Sequence, residues 1–552
     1  MGLIVFNVVY VFCFVVSIVS MSPKLFEYVQ LEGYKISSSL KYYLRLPLSL
    51  YLLTMLHIVL SIWGYEVGFL DWWVCIIFFA LYMFLIVLIF NRDCGVNVVV
   101  TKRLIRLIVS YVAIYLLMLL LIFVIDYYWC FVLFVPFAIV APVDMMIALV
   151  VNIPLEKLIG YYYINKARKK LRDARNLIRV GITGSFGKTS VKEILSSILS
   201  EVYSILVTPK SFNTPFGITK TINANLNNHH EIFIAEMGAK ARGEILELCN
   251  LVRPDIGIVT SVGRQHTNTF GGVEGVYFAK KELPDYLHNK SCVFNLTNKY
   301  VFSMYREYVG DKWGVYLSLP ADVLEKAVIK SSRFSLVYVK YDRSIFYFYP
   351  RNNVLSARNI VSSSKGSSFD VWLNGECVVS LSTELLGIHN IINILLAMAV
   401  AMKMGVAVDN VIKGVKKVKF INARMQPYYL SSGAVVINNG YNSNIDTARS
   451  TLSTLALFDK NRKIVVTPGL IETEDDVTYN RKFGELIAKF ATDVIIVKRK
   501  NRQAILLGLG NACFDLSRVM CVDSFAAAKS VIDGLNSDSV VLIENDLPDN
   551  YK

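Results

Sequence analysis

Apolar positions are spread unevenly along the 552-residue chain. Five apolar runs come first, at roughly 3–20, 47–64, 67–90, 104–125 and 128–151, each close to the ~20 residues that cross a bilayer as a helix. The first has the length of a signal-peptide core, but it lacks a basic start and four more runs follow it. The pattern predicts a membrane region of about five transmembrane helices over 1–155, although the second and third runs also fit a hairpin that does not fully cross. After residue 178 the period changes. A short apolar stretch at 179–183 precedes a helical stripe of Val191, Ile194, Leu195, Ile198 and Leu199. Further buried-strand patterns fall at 231–238, 255–263, 433–438, 463–467, 493–498 and 539–544, with helical patterns between them. Strands alternating with helices predict an α/β fold with a parallel sheet covered on both faces. Residues 300–385 instead alternate with period two, which predicts a small β insertion, and a mostly apolar helix follows at about 390–404.

Charge adds an orientation to this outline. The segments 21–46 and 91–106 carry Lys24, Lys35, Lys41, Arg45 and Arg92, Lys102, Arg103, Arg106, whereas the connections near Glu66–Asp71 and Asp126 carry no Lys or Arg. Seven Lys or Arg and one Asp lie between Lys166 and Arg179. Basic loops stay on the cytoplasmic side. The expectation is a multi-pass cell-membrane protein with its N-terminus outside, a basic juxtamembrane linker over 156–178, and cytoplasmic catalytic domains. That linker accounts for much of the net charge of +15, so nucleic acid is not needed to explain it. His57 and Asp144 are the ionisable exceptions inside the runs; Asp144 reads either as a contact to a polar lipid or substrate or as an interfacial residue. The nine cysteines form no C-x-x-C pair and no metal spacing.

The candidate chemistry sits at the change of period. Thr183-Gly-Ser-Phe-Gly-Lys-Thr-Ser190 joins a strand to a helix. Such a glycine loop turns backbone N–H groups toward phosphates; Lys188 would add a point charge, and the Thr189 hydroxyl could ligate Mg²⁺. The generic phosphate-loop pattern has glycine where Ile182 stands, so this is a tighter variant. Glu236 and His266 also lie at the C-terminal ends of predicted strands, where α/β sheets bind ligands. Glu236 could alternatively be a helix-start carboxylate and His266 an ordinary packed or solvated histidine. Gly508-Leu-Gly510 has no third glycine at the right offset for a dinucleotide site.

Eight stretches in register resemble the Mur ligase family, nearest to the branch that adds D-alanyl-D-alanine to the cell-wall precursor. They are Gly181–Ser190, Asn213–Gly217, Ala235–Ala239 with Gly243–Ile245, Pro254–His266, Phe278–Leu283, Gly387–Asn393, Ala423–Gln426, and Asn438–Asn444 followed by Pro468–Glu472. The resemblance covers about 178–510. It implies a central ATP-binding domain over 179–422 (the β insertion at about 300–385) and a Rossmann-like C-terminal domain over 423–552. It also implies ATP and Mg²⁺, with a carboxylate activated as an acyl phosphate and then attacked by an amine. By the same resemblance Thr183, Gly184, Ser185, Gly187, Lys188, Thr189, Ser190, Asn295, Asn390 and Arg424 contact the nucleotide. Thr189, Glu236, His266 and a carbamylated Lys280 hold metal, and Lys188, Glu236, His266 and Lys280 are catalytic. The neighbouring Lys281 leaves the lysine register open, and the asparagines could equally cap helices.

Two departures stand out. Relatives usually read Asp-Asp-x-Tyr-Asn-x-Asn-Pro where this chain has Asn438-Asn439-Gly-Tyr-Asn-Ser-Asn444-Ile445. The apolar runs occupy the place of the relatives' UDP-gripping domain. The resulting expectation is a membrane-anchored ligase of cell-envelope, capsule or peptidoglycan biosynthesis. It would join an envelope or lipid-linked carboxylate to an amino acid or short peptide, with the lipid bilayer as a partner and no nucleic acid. A poly-γ-glutamate-type synthase and a transporter or signalling ATPase are the alternatives.

Overall fold

The computed structural model describes residues 25–30, 33, 34, 36, 99–124, 141–264, 267–317, 337–341, 344–348, 353–440, 445–470 and 475–545. The chain divides into two compact units, Met1–Tyr162 and Tyr163–Lys552. The first contains α1 (Lys102–Val124) and most of α2 (Ala141–Asp173). Two arginines of α1 converge on one carboxylate of α2: Arg106 Nη2 lies 2.6 Å from Glu156 Oε1, and Arg103 Nε lies 3.6 Å from Oε2. The Arg103 guanidinium also stacks on Tyr34, 4.3 Å from the ring centre.

The multi-pass expectation is corrected here. Among the described residues one helix, Met145–Asp173, is long and apolar enough to cross a membrane, against the five runs counted. The runs at 3–20, 47–64 and 67–90, His57, and the side chain of Asp144 lie outside what is described. The end of that helix does different work. Ala167 and Leu171 are buried with Ile218, Ile222 and Phe233 in the core of the second unit. The basic run is partly structural too. Lys170 Nζ donates to the carbonyls of Asn223 and Leu226, and Arg179 Nη2 donates to that of Leu171. A multi-pass location with an outside N-terminus and cytoplasmic catalytic domains is therefore set aside.

The second unit is built on two sheets. The larger has nine strands in the order β11-β10-β9-β6-β5-β4-β1-β3-β2. Its parallel part comprises β1 (Ile178–Thr183), β2 (Ile205–Val207), β3 (Ile232–Glu236), β4 (Ile256–Val259), β5 (Ser291–Asn295) and β6 (Lys312–Leu317). One face is covered by α3 (Lys188–Leu199), whose Val191, Ile194, Leu195 and Ile198 are fully buried. The other face is covered by α4 (Pro215–Asn225), α5 (Glu244–Val252), α6 (Val273–Leu287) and α7 (Lys299–Glu307). Two-sided cover is what a parallel sheet requires.

The β insertion does not stand apart. Both α7 and β6, inside its predicted range, belong to the main α/β layer. A hairpin of β7 (Val337–Tyr341) and β8 (Ser344–Phe348) forms its own two-stranded sheet. Then β9 (Val354–Ser363), β10 (Gly366–Leu373) and β11 (Glu376–Thr383) extend the large sheet as an antiparallel meander, with β9 parallel to β6. The reason is visible in burial: Phe369, Val371 and Leu381 enter the same core as α3. Two helices complete that core. In α8 (Ile388–Lys403) even Asn390 and Asn393 are buried, and α9 (Val408–Lys417) sets Gly414 directly on α3.

The second sheet runs β12-β13-β17-β14-β15-β16. Its strands are β12 (Gln426–Tyr429), β13 (Val435–Asn439), β14 (Arg462–Thr467), β15 (Asp493–Val497), β16 (Val519–Val522) and β17 (Ser539–Glu544); all pairings are parallel except β12 with β13. Around it lie α10 (Ile445–Leu455), α11 (Asp476–Ile487), α12 (Arg502–Asn511) and α13 (Phe525–Asp533).

Candidate functional site

The apolar strand β1 delivers the glycine loop to the C-terminal edge of the large sheet, and α3 starts at Lys188. Gly184 has φ +146° and Gly187 φ +82°, a region that side chains rarely occupy. Space is closed as well: a Cβ on Gly184 would lie 2.0 Å from Thr260 Oγ1, and one on Gly187 would lie 2.8 Å from Asn393 Oδ1. The loop is moulded onto the end of β4. Ser185 N donates to Ser261 O at 2.7 Å, and Phe186 N donates to Ser261 Oγ at 3.0 Å.

Around this loop the structure gathers several predicted residues. In the β1–β3 register Ile182 pairs with Glu236, which puts the acid beside the loop. Glu236 is 2% exposed, and both its oxygens are held: Thr189 Oγ1 donates to Oε2 at 3.0 Å, and Asn213 Nδ2 donates to Oε1 at 3.2 Å. Arg424 Nη2 reaches Thr189 Oγ1 at 3.4 Å from 235 positions away in sequence. The flanking Ala423 (φ 53°) and Met425 (φ 51°) both adopt left-handed backbone, so this turn is strained around the arginine. Lys188 folds onto its own loop, with Nζ donating to Gly184 O at 2.7 Å and Ser185 O at 3.2 Å. Burial lowers its pKa to about 8; Glu236 opposes the shift and Arg424 adds to it.

Lys280 and Lys281 are told apart. Lys280 is 3% exposed, and burial, then the charge of Lys188, lower its pKa to about 7. Lys281 faces outward and pairs with Glu307 at 2.8 Å. The other predicted residues are placed as supports. Thr183 donates its hydroxyl to Met237 O, Ser185 bonds the backbone of Gly263, and Ser190 is buried in α3. Asn295 Nδ2 donates to Thr260 O at 2.8 Å, tying β5 to β4. Asn390 donates to Leu386 O and accepts from Asn393. His266, Tyr441–Asn444 and Ile471–Glu472 lie outside the described residues.

Several neighbours had no assigned role in the sequence reading. Asn213, the first residue of the Asn213–Gly217 stretch, is one of them. His389 is another; it bonds Ser450 Oγ through Nδ1 at 3.0 Å, and burial, then Arg424, lower its pKa to about 4. Lys192, one turn beyond Lys188, carried no signal beyond that spacing. Asn439 donates to the fully buried Glu544 at 3.0 Å, and β13–β17 register places the two side by side.

Comparisons with known proteins bear on the domain and the fold. Residues 182–401 match the Mur ligase middle domain. The chain is similar to the UDP-N-acetylmuramoyl-tripeptide–D-alanyl-D-alanine ligase of Buchnera aphidicola, at 28% identity over 326 residues, 59% of this chain and 64% of that one. It is similar to the enzyme of the same name from Haemophilus influenzae at 25% identity, over 70% of this chain and 75% of that one. The chain thus spans a little under two thirds of one relative and three quarters of the other. In fold it is similar to MurF from Acinetobacter baumannii (TM-score 0.56, 18% identity, 70% of this chain and 77% of that one). It is likewise similar to MurF ligase from Thermotoga maritima solved with ADP (TM-score 0.56, 19% identity, 70% and 80%).

Proposed function

From a chain that carries a Mur ligase middle domain at residues 182–401, we propose an ATP-dependent ligase that joins a carboxylate to an amine. The observation that carries the reading is the convergence of the glycine loop, the Thr189–Glu236 pair and Arg424 at one sheet edge. The residues suit the groups the reaction needs. A hydroxyl and a carboxylate are hard oxygen ligands of the kind Mg²⁺ takes, and two cations flank them for phosphate. When bound, ATP supplies the phosphoryl group that converts the substrate carboxylate to an acyl phosphate, and Mg²⁺ offsets charge on the phosphates.

The chain's own residues then have distinct tasks. Thr189 and Glu236 would hold the metal, and Asn213, donating to Glu236 Oε1, keeps that carboxylate from rotating away. Lys188 exchanges its loop carbonyls for a phosphate oxygen. Arg424, standing on the second sheet's side beside Thr189, would pair with the same phosphates, so a bound nucleotide would engage both sheets. Lys280, with a pKa near 7, is largely a neutral amine at pH 7.5. Its lone pair can take up CO₂ and lose a proton, and the resulting carbamate would offer the metal an anionic oxygen ligand. The amine substrate attacks the acyl carbon, phosphate leaves, and the amide forms. Phosphoryl transfer of this kind depends mostly on positioning and charge.

The amine is proposed to be an amino acid or dipeptide and the carboxylate a cell-wall peptide, after the relatives' names. The lipid-linked substrate and the transporter reading both depended on the multi-pass region and are dropped with it. The test is ADP release with UDP-N-acetylmuramoyl-tripeptide as carboxylate and a panel of amines that includes D-alanyl-D-alanine. Release should require both partners; release that no amine ever stimulates would overturn the reading.

A further inference from the structure

We infer that Lys192 is a built-in counter-ion of Glu236 that keeps the nucleotide-free site from holding a divalent cation. The inference rests on the proposed reading of Glu236 as a metal-binding carboxylate.

Lys192 is fully buried in α3, an unusual place for an ammonium group. Burying such a charge is unfavourable unless oxygens surround it. They do: Nζ donates to Thr208 O at 2.8 Å and to Lys210 O, and lies 3.5 Å from Glu236 Oε2 and 3.5 Å from Glu193 Oε1. Glu193 is 45% exposed and shares its charge with water, so the 2%-exposed Glu236 is the principal anion facing Lys192. The contact falls on Oε2, the oxygen that also accepts the Thr189 hydroxyl. A cation ligated there would therefore sit within a few ångströms of a fixed positive charge.

The same lysine shapes the wall around the acid. By holding the Thr208 and Lys210 carbonyls it fixes the turn after β2. Thr208 Oγ1 in turn accepts from Glu236 N at 3.1 Å, and the chain runs on to Asn213, whose amide holds Oε1. Lys192 is thus a positioning residue with an electrostatic consequence. While the site is empty, Glu236 is already charge-paired; the extra negative charge that makes the site attractive to a cation arrives with the nucleotide phosphates. Lys188 and Arg424 are the other cations near Glu236, and both are placed to turn to those phosphates.

The experiment is Mn²⁺ titration of the nucleotide-free full chain, read by electron paramagnetic resonance. Lys192→Met keeps a long unbranched side chain, one atom shorter, and removes the charge; it should bind Mn²⁺ at least tenfold more tightly than the native protein. Adding Glu236→Gln to Lys192→Met should abolish that gain, and Lys192→Arg should leave affinity within threefold of native. If Lys192→Met does not fold, Lys192→Gln and Lys192→Arg make the same comparison. Unchanged or weaker Mn²⁺ binding in the neutral variants overturns the inference. Failure of the underlying reading has a different signature: Glu236→Gln would leave Mn²⁺–ATP binding unchanged.

Discussion

Replacing Gly184 with alanine tests how tightly the glycine loop is built. The new Cβ meets two separate penalties. A side chain at φ +146° occupies a region open essentially to glycine, at roughly 1–3 kcal/mol. The Cβ would also stand 2.0 Å from Thr260 Oγ1 and 2.9 Å from Ser261 N. The Thr260 hydroxyl has one proton to donate, to Phe186 O or Thr183 O, so rotating it away forfeits a hydrogen bond of about 0.5–1.5 kcal/mol. The Ser261 backbone cannot retreat without breaking its bond to Ser185 N. The sum is about 3 kcal/mol, localised in the loop. The hydrophobic core beneath is untouched, so the loop lifts while the sheet persists. The expected result is a fall in ADP affinity of roughly a hundredfold by calorimetry, because about 1.4 kcal/mol is a factor of ten. Gly243→Ala is the control. It shares a positive φ of 89° but has nothing within 4 Å of the added atom, so only backbone strain applies. Native ADP affinity and native melting in Gly184→Ala would refute the reasoning.

Other outcomes follow from the same geometry. Lys188→Ala should reduce nucleotide turnover about a hundredfold or more, as loss of a preorganised charge does; normal turnover would remove Lys188 from the site. Depleting CO₂ and bicarbonate at pH 7.5 should lower turnover at least tenfold, with recovery on adding bicarbonate, whereas Lys280→Ala should be inactive and indifferent to bicarbonate. Lys281→Ala, which breaks a solvent-exposed pair, should cost no more than about 1 kcal/mol of stability and leave the bicarbonate response intact. Asn439→Asp would face Glu544 with a second buried carboxylate and lose the amide donor. Two adjacent carboxylates share a proton more readily at low pH. Its melting temperature should therefore fall further below native at pH 8 than at pH 5, and an equal deficit at both would contradict the pairing.

How much was legible beforehand depends on whether a feature is local. The glycine loop and α3 could be read because glycines, Lys188, Thr189 and the apolar stripe lie within twenty residues. Glu236 was readable because a strand end announces itself. The Thr189–Arg424 contact was not, since no local pattern says that a turn 235 residues later returns to the loop. Nor could the sequence separate Lys280 from Lys281; that needed the orientation of α6, which buries one and exposes the other. The β9–β11 stretch reads as strands of a small β insertion, but its extension of the large sheet through β9 and β6 was not legible. Period-two alternation reports a half-buried strand and is silent on which core it faces. The N-terminal region is a different case: length and composition alone satisfy the test for a span, among the described residues one helix, Met145–Asp173, passes it, and the end of that helix, at Ala167 and Leu171 in the stretch read as a basic linker, is buried against a sheet.

The join between β6 and β9 has a practical side. Leu317 and Ala357 are neighbours across a parallel strand pair, although 39 residues of chain separate them. A single proteolytic cut in the intervening stretch would leave the two pieces hydrogen-bonded edge to edge, with Phe369 and Val371 still seated among the residues of α3. The protein is thus a natural subject for split reconstitution. Two polypeptides divided near residue 330 would carry six and three strands of one sheet, and neither piece alone closes the core beside the glycine loop.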